Sequence, residues 1–180
     1  MKKILTFCIF IFTLSIGCLS FFDQMKISKA LDSGWYITVP TSINFTDTAW
    51  VVGPHAVTVD FTDPIVATND QGSNGGFTMQ VTATEFTEGT DPSLYIGYNN
   101  LEVKTGTVTT DLPDGITTPL NGAYSAFDGV YSVSDPIEVM TADNTYRNAG
   151  SWSVTPSLRL TIPLKQNIGS YSATITFSLI

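Results

Sequence analysis

Apolar residues recur at every second position through much of the chain after residue 31, and this period constrains the fold more than any other feature. Residues 170–179 are the clearest case, since five apolar side chains alternate there with serine and threonine; they are Tyr171, Ala173, Ile175, Phe177 and Leu179. Successive side chains of a β-strand point to opposite faces, so this run predicts a strand with one buried and one wet face.

Other segments share this alternation and set the fold class. Residues 77–84 and 157–164 alternate strongly, and weaker runs lie at 35–39, 57–61, 101–103, 130–133 and 151–154. A phase reversal at Glu85 predicts a bulge or strand end, and the turn-prone segment 167–169 predicts a hairpin between the last two runs. No window has helical spacing after the leader. We therefore expect an all-β fold, a single antiparallel β-sandwich of the immunoglobulin-like, Greek-key type, after an N-terminal signal helix.

The first thirty residues have the layout of an export signal. Lys2 and Lys3 precede an uncharged apolar stretch, residues 4–22. Small residues at Ser28 and Ala30 favour cleavage after Ala30, which predicts a signal peptide over 1–30 and one domain over 31–180. The protein is then secreted and extracellular, at the cell surface.

Two alternatives to cleavage after Ala30 stay open. The apolar stretch is long enough to be retained as a membrane anchor, since about 20 apolar residues cross a bilayer. Residues 15–18 partly match a lipobox, which would place a lipid on Cys18. Membrane contact is expected only through such an uncleaved or lipidated N-terminus.

Charge and cysteine content exclude several classes of function. The chain has 8 lysines and arginines against 16 aspartates and glutamates, and four of those cations but only one carboxylate precede residue 31. A domain this acidic is not expected to bind nucleic acid. Both cysteines, Cys8 and Cys18, lie in the leader, so the domain has no disulfide, no cysteine nucleophile and no cysteine-based zinc site.

Catalytic patterns are also missing from the sequence. His55 is the only histidine, and no Gly-x-Ser-x-Gly motif accompanies it. Glu85, Glu88 and Asp91 lie close enough in sequence to keep a glycosidase as an alternative, although carboxylates at a strand end usually belong to a solvated turn. Residues 69–76 form a glycine-rich loop without the bidentate glutamate of a calcium loop. We expect no catalytic residues, no metal and no cofactor.

Aromatic side chains are a further candidate binding surface, because exposed rings stack on sugars; core filling is the competing interpretation. The rings outside the best alternating runs are Trp35, Tyr36, Trp50, Tyr95, Tyr98, Tyr124, Tyr131 and Tyr146.

Two stretches carry a family resemblance. Residues 76–87 read Gly-Phe-Thr-Met-Gln-Val and end near a phenylalanine, and residues 156–163 read Pro-x-Leu-x-Leu-x-Ile-Pro before Gly169-x-Tyr171 and a final Phe177-x-Leu179. They resemble the WxL domain of Gram-positive surface proteins, which is marked by two Trp-x-Leu motifs. Phe77 and Phe177 stand at the tryptophan positions, and Met79 stands at the first leucine.

The resemblance implies noncovalent attachment to the cell wall. It also implies binding roles for the motif positions Phe77, Met79, Phe177 and Leu179, although their alternation places them on buried strand faces.

Taken together, the sequence predicts a noncatalytic adhesion module that binds a cell-wall polymer or another envelope protein. One alternative is a structural subunit of an extracellular fibre or surface assembly, in which the C-terminal strand completes a neighbour's sheet and the protein self-assembles. A secreted glycan-active enzyme is the other.

Overall fold

The computed structural model describes residues 5–15, 26–29, 34–40, 42–45, 54–70, 76–110, 116–117, 123–129, 133–142, 149–164, 166–167 and 169–180. In chain order the strands are β1 (Leu5–Ser15), β2 (Lys26–Lys29), β3 (Trp35–Val39), β4 (His55–Asp60), β5 (Ile65–Asn69), β6 (Phe77–Ala83), β7 (Phe86–Glu88), β8 (Tyr95–Ile96), β9 (Leu101–Lys104), β10 (Val108–Thr110), β11 (Ile116–Thr117), β12 (Tyr124–Ala126), β13 (Ile137–Ala142), β14 (Gly150–Val154), β15 (Ser157–Ile162) and β16 (Ser170–Leu179). A short 3-10 helix, Tyr98–Asn100, precedes β9.

The predicted all-β class is confirmed. Every pairing between these strands is antiparallel, and the strands form three sheets. The described residues contain no α-helix. None of their helices is long and apolar enough to span a membrane.

The first sheet is organised around β16. Along one edge, β16 pairs with both β6 and β7. Beyond β6 the sheet continues through β13 to β11, and beyond β7 it continues to β8. Ala83 lies opposite Ile175 whereas Thr87 lies opposite Ser172, so the β6–β7 edge has one more residue than β16 over this stretch. This extra residue confirms the strand break predicted at Glu85.

The second and third sheets continue into one another. The second has the order β10-β14-β5-β3-β2, and the third has the order β12-β9-β15-β4. The chain passes between them at residues 61–64, 105–107 and 155–156, which we call the sheet corner. There the amide of Phe61 donates to the carbonyl of Pro156 at 3.0 Å, and that of Thr155 donates to the carbonyl of Thr107 at 3.2 Å. Strands that switch sheets in this way form the corners of packed β structures.

One hydrophobic core joins the three sheets. Phe77 of the first sheet packs against Trp35 and Trp152 of the second, with ring centroids 5.1 and 5.4 Å apart. Phe177 meets Phe61 of the sheet corner edge-to-face at 6.1 Å. Such aromatic pairs add to the free energy of burying the rings, so these contacts stabilise the stacking of the sheets.

The predicted hairpin between the last two long strands is wrong. β15 pairs with β4 and β9 in the third sheet, whereas β16 pairs in the first sheet. Pro163 has no amide hydrogen to continue the ladder, and β15 ends just before it. The hydroxyl of Tyr171 then donates to the carbonyl of Asn167 at 3.0 Å, which ties the connection to β16.

Leu5–Ser15 form the strand β1. The signal helix expected in the first thirty residues stays a prediction, because much of this segment lies outside the described residues. β1 runs antiparallel to β16, with Leu5 opposite Leu179 and Ser15 opposite Ser170. Isoleucine, phenylalanine and threonine suit a strand, and the edge of β16 supplies partners for its backbone groups. The cleavage site after Ala30 and the lipidation site Cys18 lie outside the described residues, and both stay predictions.

Candidate functional site

The structure brings the two resemblance motifs together. β6 and β16 are neighbours in the first sheet, and Met79 lies directly opposite Leu179. The four motif side chains are buried, with exposed fractions of 5% for Phe77, 0% for Met79 and Phe177, and 4% for Leu179. They pack into the core, which agrees with a structural role; their binding role stays a prediction.

The candidate aromatic residues separate into core and surface groups. Trp35 is partly buried and stacks on Trp152 at 5.5 Å, and Tyr98 is buried, so both rings pack with the core. Tyr36 and Tyr124 are half-buried, while Tyr95 on β8 is 54% exposed. Trp50, Tyr131 and Tyr146 lie outside the described residues.

Tyr124 lies in a cluster of charged side chains on the outward face of the third sheet. Along β9 and β15 the apolar side chains are buried, so Glu102, Lys104 and Arg159 point away from the core. Tyr124 is opposite Lys104, and Arg159 is opposite Glu102. We call Glu102, Lys104, Tyr124 and Arg159 the Tyr124 cluster.

The geometry of the Tyr124 cluster pairs one aromatic ring with two cations. The Arg159 guanidinium carbon is 4.1 Å from the centroid of the Tyr124 ring, and the Lys104 Nζ is 5.1 Å from it. Both distances are within the range of cation–π attraction. Arg159 also donates from Nε and Nη2 to the two carboxylate oxygens of Glu102, the second at 2.9 Å.

Within the Tyr124 cluster, the ion pair favours the charged forms of both Glu102 and Arg159. The hydrogen bond from Arg159 lowers the pKa of Glu102, and the same bond raises the pKa of Arg159. In the part of the chain whose side chains the structure describes, Lys104 and Arg159 are the only lysine and arginine, and both contact this ring. At the Tyr124 cluster, two positive charges therefore partly offset the negative charge of the domain.

Sequence reasoning identified Tyr124 among many rings but missed the residues around it. The alternation recognised at 157–164 placed Arg159 on a polar face, and the weaker run at 101–103 is consistent with the outward position of Glu102, whereas Lys104 lies beyond that run. The alternation did not show which strands pair. Arg159 reaches Glu102, 57 positions earlier in the sequence, only because their strands β15 and β9 are neighbours.

Two of the three carboxylates considered for glycoside cleavage, Glu88 and Asp91, form hydrogen bonds within a turn. Oε2 of Glu88 accepts from the amide and hydroxyl of Thr90, at 2.7 and 2.6 Å, and from the amide of Asp91 at 2.7 Å. Oδ1 of Asp91 accepts from the amide and hydroxyl of Ser93. The bond from the Thr90 hydroxyl, with the two amides, lowers the pKa of Glu88, whereas a general acid needs a raised pKa. The arrangement therefore lends no support to the glycosidase alternative.

Glu85, unlike Glu88 and Asp91, lies close enough to the buried Tyr98 to affect its pKa. Burial raises the pKa of Tyr98, and the nearby charges of Asp128, Glu85 and Asp135 raise it further. This tyrosine therefore stays protonated and neutral beside the three carboxylates.

Replacing Glu88 is expected to change the pH dependence of stability. Because its pKa is lowered on folding, Glu88 stabilises the protein above its unfolded pKa of about 4.3, and this contribution is lost as the pH falls through the folded value. Glu88→Gln should lower the melting temperature at pH 7 and give a shallower loss of stability in acid, measured by thermal unfolding at several pH values. Glu138→Gln, at an exposed position of β13, is the control. A Glu88→Gln melting temperature equal to wild type at pH 7 would contradict the role of these hydrogen bonds.

The remaining sequence candidates form no reaction centre in the described residues. His55 begins β4 and lies opposite Ile162. Asn69 is buried at the end of β5 and Asp70 follows it, while residues 71–75 of the glycine-rich loop lie outside the described part. Among the side chains that the structure describes, no group of three or more histidines, cysteines or carboxylates is placed to hold a metal ion.

Comparisons with protein-family models, curated proteins and solved structures gave no significant match. The resemblance to the WxL domain therefore rests on the quoted residues alone and stays a prediction.

Proposed function

We propose that this protein is an exported, noncatalytic adhesion module of the cell surface that binds cell-wall glycan noncovalently. The observation that carries the proposal is the Tyr124 cluster, which places an aromatic ring and hydrogen-bonding charged groups together on an outward sheet face. The predicted export signal and the resemblance to the WxL domain support the same location.

The proposed fold is a two-layered sandwich of Greek-key type. The first sheet is one layer, and the second and third sheets, continuous through the sheet corner, form the other. Aromatic contacts of Phe77 and Phe177 across the core support this arrangement. The hydrogen bond from Tyr171 to the Asn167 carbonyl supports it too, because such tyrosines accompany the connections of Greek-key sandwiches.

The chemistry of the Tyr124 cluster suits a polysaccharide. Tyrosine presents a large, rigid surface against which a sugar ring can pack, with a hydroxyl at its polar end. Arg159 and Glu102 hold each other in a planar, bidentate pair whose remaining donor and acceptor sites can meet sugar hydroxyls. Lys104 adds a cation to a face of an acidic domain, which reduces repulsion of negatively charged wall polymers.

Removing the ring is expected to weaken attachment to cell walls. Tyr124→Ala should lower affinity by about 0.5–1.5 kcal/mol, or about two- to tenfold, because the aromatic contact is lost. The measurement is cosedimentation of the exported protein with purified cell walls at low and moderate salt. Tyr95→Ala removes a more exposed tyrosine on a different sheet and should bind like wild type.

Two outcomes of this experiment would count against the proposal. If the wild-type protein does not cosediment at either salt concentration, the wall-binding function itself is wrong. If Tyr95→Ala loses binding and Tyr124→Ala does not, the glycan contact lies on the first sheet and not on the Tyr124 cluster.

A further inference from the structure

The Tyr124 cluster holds charged hydrogen-bond donors that have no acceptor in the described part of the chain. Lys104 Nζ carries three N–H donors; it lies 5.1 Å from the centroid of the Tyr124 ring and forms no ion pair or hydrogen bond there. Arg159 donates to Glu102 from Nε and Nη2, so the two donors of Nη1 remain. Because 37% of the Arg159 side chain is exposed, these donors are open to a ligand.

The acceptors of the Tyr124 cluster are already engaged. Each carboxylate oxygen of Glu102 accepts from Arg159, and 23% of the Glu102 side chain is exposed. Two cations and one carboxylate leave one net positive charge beside the ring. A sugar hydroxyl both donates and accepts, whereas an oxyanion only accepts. The unused groups of the cluster therefore match an oxyanion more closely than a neutral hydroxyl.

Cations are scarce in this domain, and two of them meet at one ring. Four lysines and arginines and fifteen aspartates and glutamates follow residue 30. On the outward face of the third sheet, Asp60 is the other carboxylate among the described residues. It lies two strands from Lys104, on the far side of Ser157, whose hydroxyl donates to it at 2.6 Å.

This spacing leaves the positive charge of the cluster effective at short range. Two strand spacings amount to about 10 Å, which exceeds the screening length of about 8 Å at physiological salt. An anion in contact with Lys104 therefore interacts mainly with the cluster itself, and much less with the carboxylates elsewhere on the domain.

We propose that the Tyr124 cluster binds an oxyanion carried by the wall glycan, either a phosphodiester or a carboxylate. Lys104 Nζ and Arg159 Nη1 are its donors, and the Tyr124 ring packs against the adjoining sugar. This inference rests on the proposed wall binding and adds the chemical group that is recognised. Phosphodiester and carboxylate share the same acceptor chemistry, and the experiment separates them.

Three preparations of purified cell walls test the assignment with the wild-type protein alone. One is untreated, one has its phosphodiesters cleaved with cold hydrofluoric acid, and one has its carboxylates amidated with a neutral amine. The exported protein should cosediment with untreated walls and bind about fivefold more weakly to at least one treated preparation, since an exposed ion pair contributes up to about this factor. Weakening on acid-treated walls identifies the phosphodiester, and weakening on amidated walls identifies the carboxylate.

A charge variant connects this effect to the Tyr124 cluster. Lys104→Gln removes one cation and should bind untreated walls about fivefold more weakly than wild type. Its difference from wild type should shrink on the preparation that lacks the oxyanion, because the lost interaction is absent there for both proteins. Lys104→Arg keeps the charge and should bind like wild type.

Thr109→Glu is the matched control. It changes the net charge by the same amount at an exposed position of β10 in the second sheet, and it should retain both the affinity of the wild type and its response to wall treatment.

The outcomes distinguish this inference from the proposed function. Equal binding of the wild-type protein to all three preparations would keep wall binding and overturn the oxyanion assignment. A Lys104→Gln variant that weakens on the treated walls as much as the wild type would also overturn it, because the oxyanion would then be bound elsewhere. No binding to untreated walls would overturn the proposed function and this inference with it.

Discussion

Gly106→Ala is expected to destabilise the protein by about 3 kcal/mol, the upper end of the usual cost of overpacking. A Cβ atom at this position would lie 1.9 Å from the carbonyl oxygen of Thr155. Both colliding groups belong to the backbone, so no change of rotamer relieves the contact, and the two chain segments must separate at the sheet corner. Separation would also strain the bond from the Thr155 amide to the Thr107 carbonyl. The free energy of unfolding from urea titration is the measurement.

Gly89→Ala is the matched control for this prediction. A Cβ atom there would have its nearest contact at 3.8 Å, with the carbonyl oxygen of Ser170, which is an ordinary van der Waals distance. Its effect should therefore stay within about 0.5 kcal/mol, as for most surface substitutions. Equal urea midpoints for the two variants would show that the sheet corner is not packed as described.

Phe177→Ala is expected to cost about 3–5 kcal/mol, as for other fully buried phenylalanines. The side chain is 0% exposed, it meets Phe61 of the sheet corner edge-to-face, and its removal leaves a cavity between the first sheet and that corner. This is a large part of the total stability of about 5–15 kcal/mol that is typical of a domain. Urea titration again gives the free energy, with Ser178→Ala on the wet face of β16 as the control.

The same variant separates the two roles considered for this motif position. A core role predicts a large loss of stability, whereas a role confined to wall binding predicts normal stability and reduced cosedimentation. A cost below about 1 kcal/mol would exclude Phe177 from the core and return it to the candidate binding residues.

The strands recognised from sequence are those with an unbroken period of two. β6, β15 and β16 were placed from their alternation, and their predicted buried faces are the observed ones. β13 was missed because Val139 and Met140 are both buried at a register shift, which breaks the alternation. β5 was missed because its inward residues include the small Ala67 and the polar Asn69, so the pattern has little apolar contrast.

Neighbouring strands in the sequence were paired wrongly for a different reason. β15 and β16 have the same alternation and a turn-prone connection, and this combination fits both a hairpin and a crossing between sheets. The observed crossing lets the buried faces of both strands contribute to one core from different sheets. A local turn signal does not contain that information.

The candidate site shows the same division between local and long-range information. Tyr124 was selected from its residue type, and the polar face of β15 was apparent from its alternation. The bidentate pair of Arg159 and Glu102, and the two cations beside one ring, exist only because β9 lies between β12 and β15 in the third sheet.

The order of apolar and polar residues alone was enough to establish that this chain is built of antiparallel strands and which side of many strands is buried. Alternation is a property of neighbouring residues, and burial of apolar surface acts on it directly. Which strands lie side by side was decided only by the tertiary structure. Every strand offers the same backbone donors and acceptors at its edges, so hydrogen bonding does not distinguish partners, and the packing of side chains into a common core selects them.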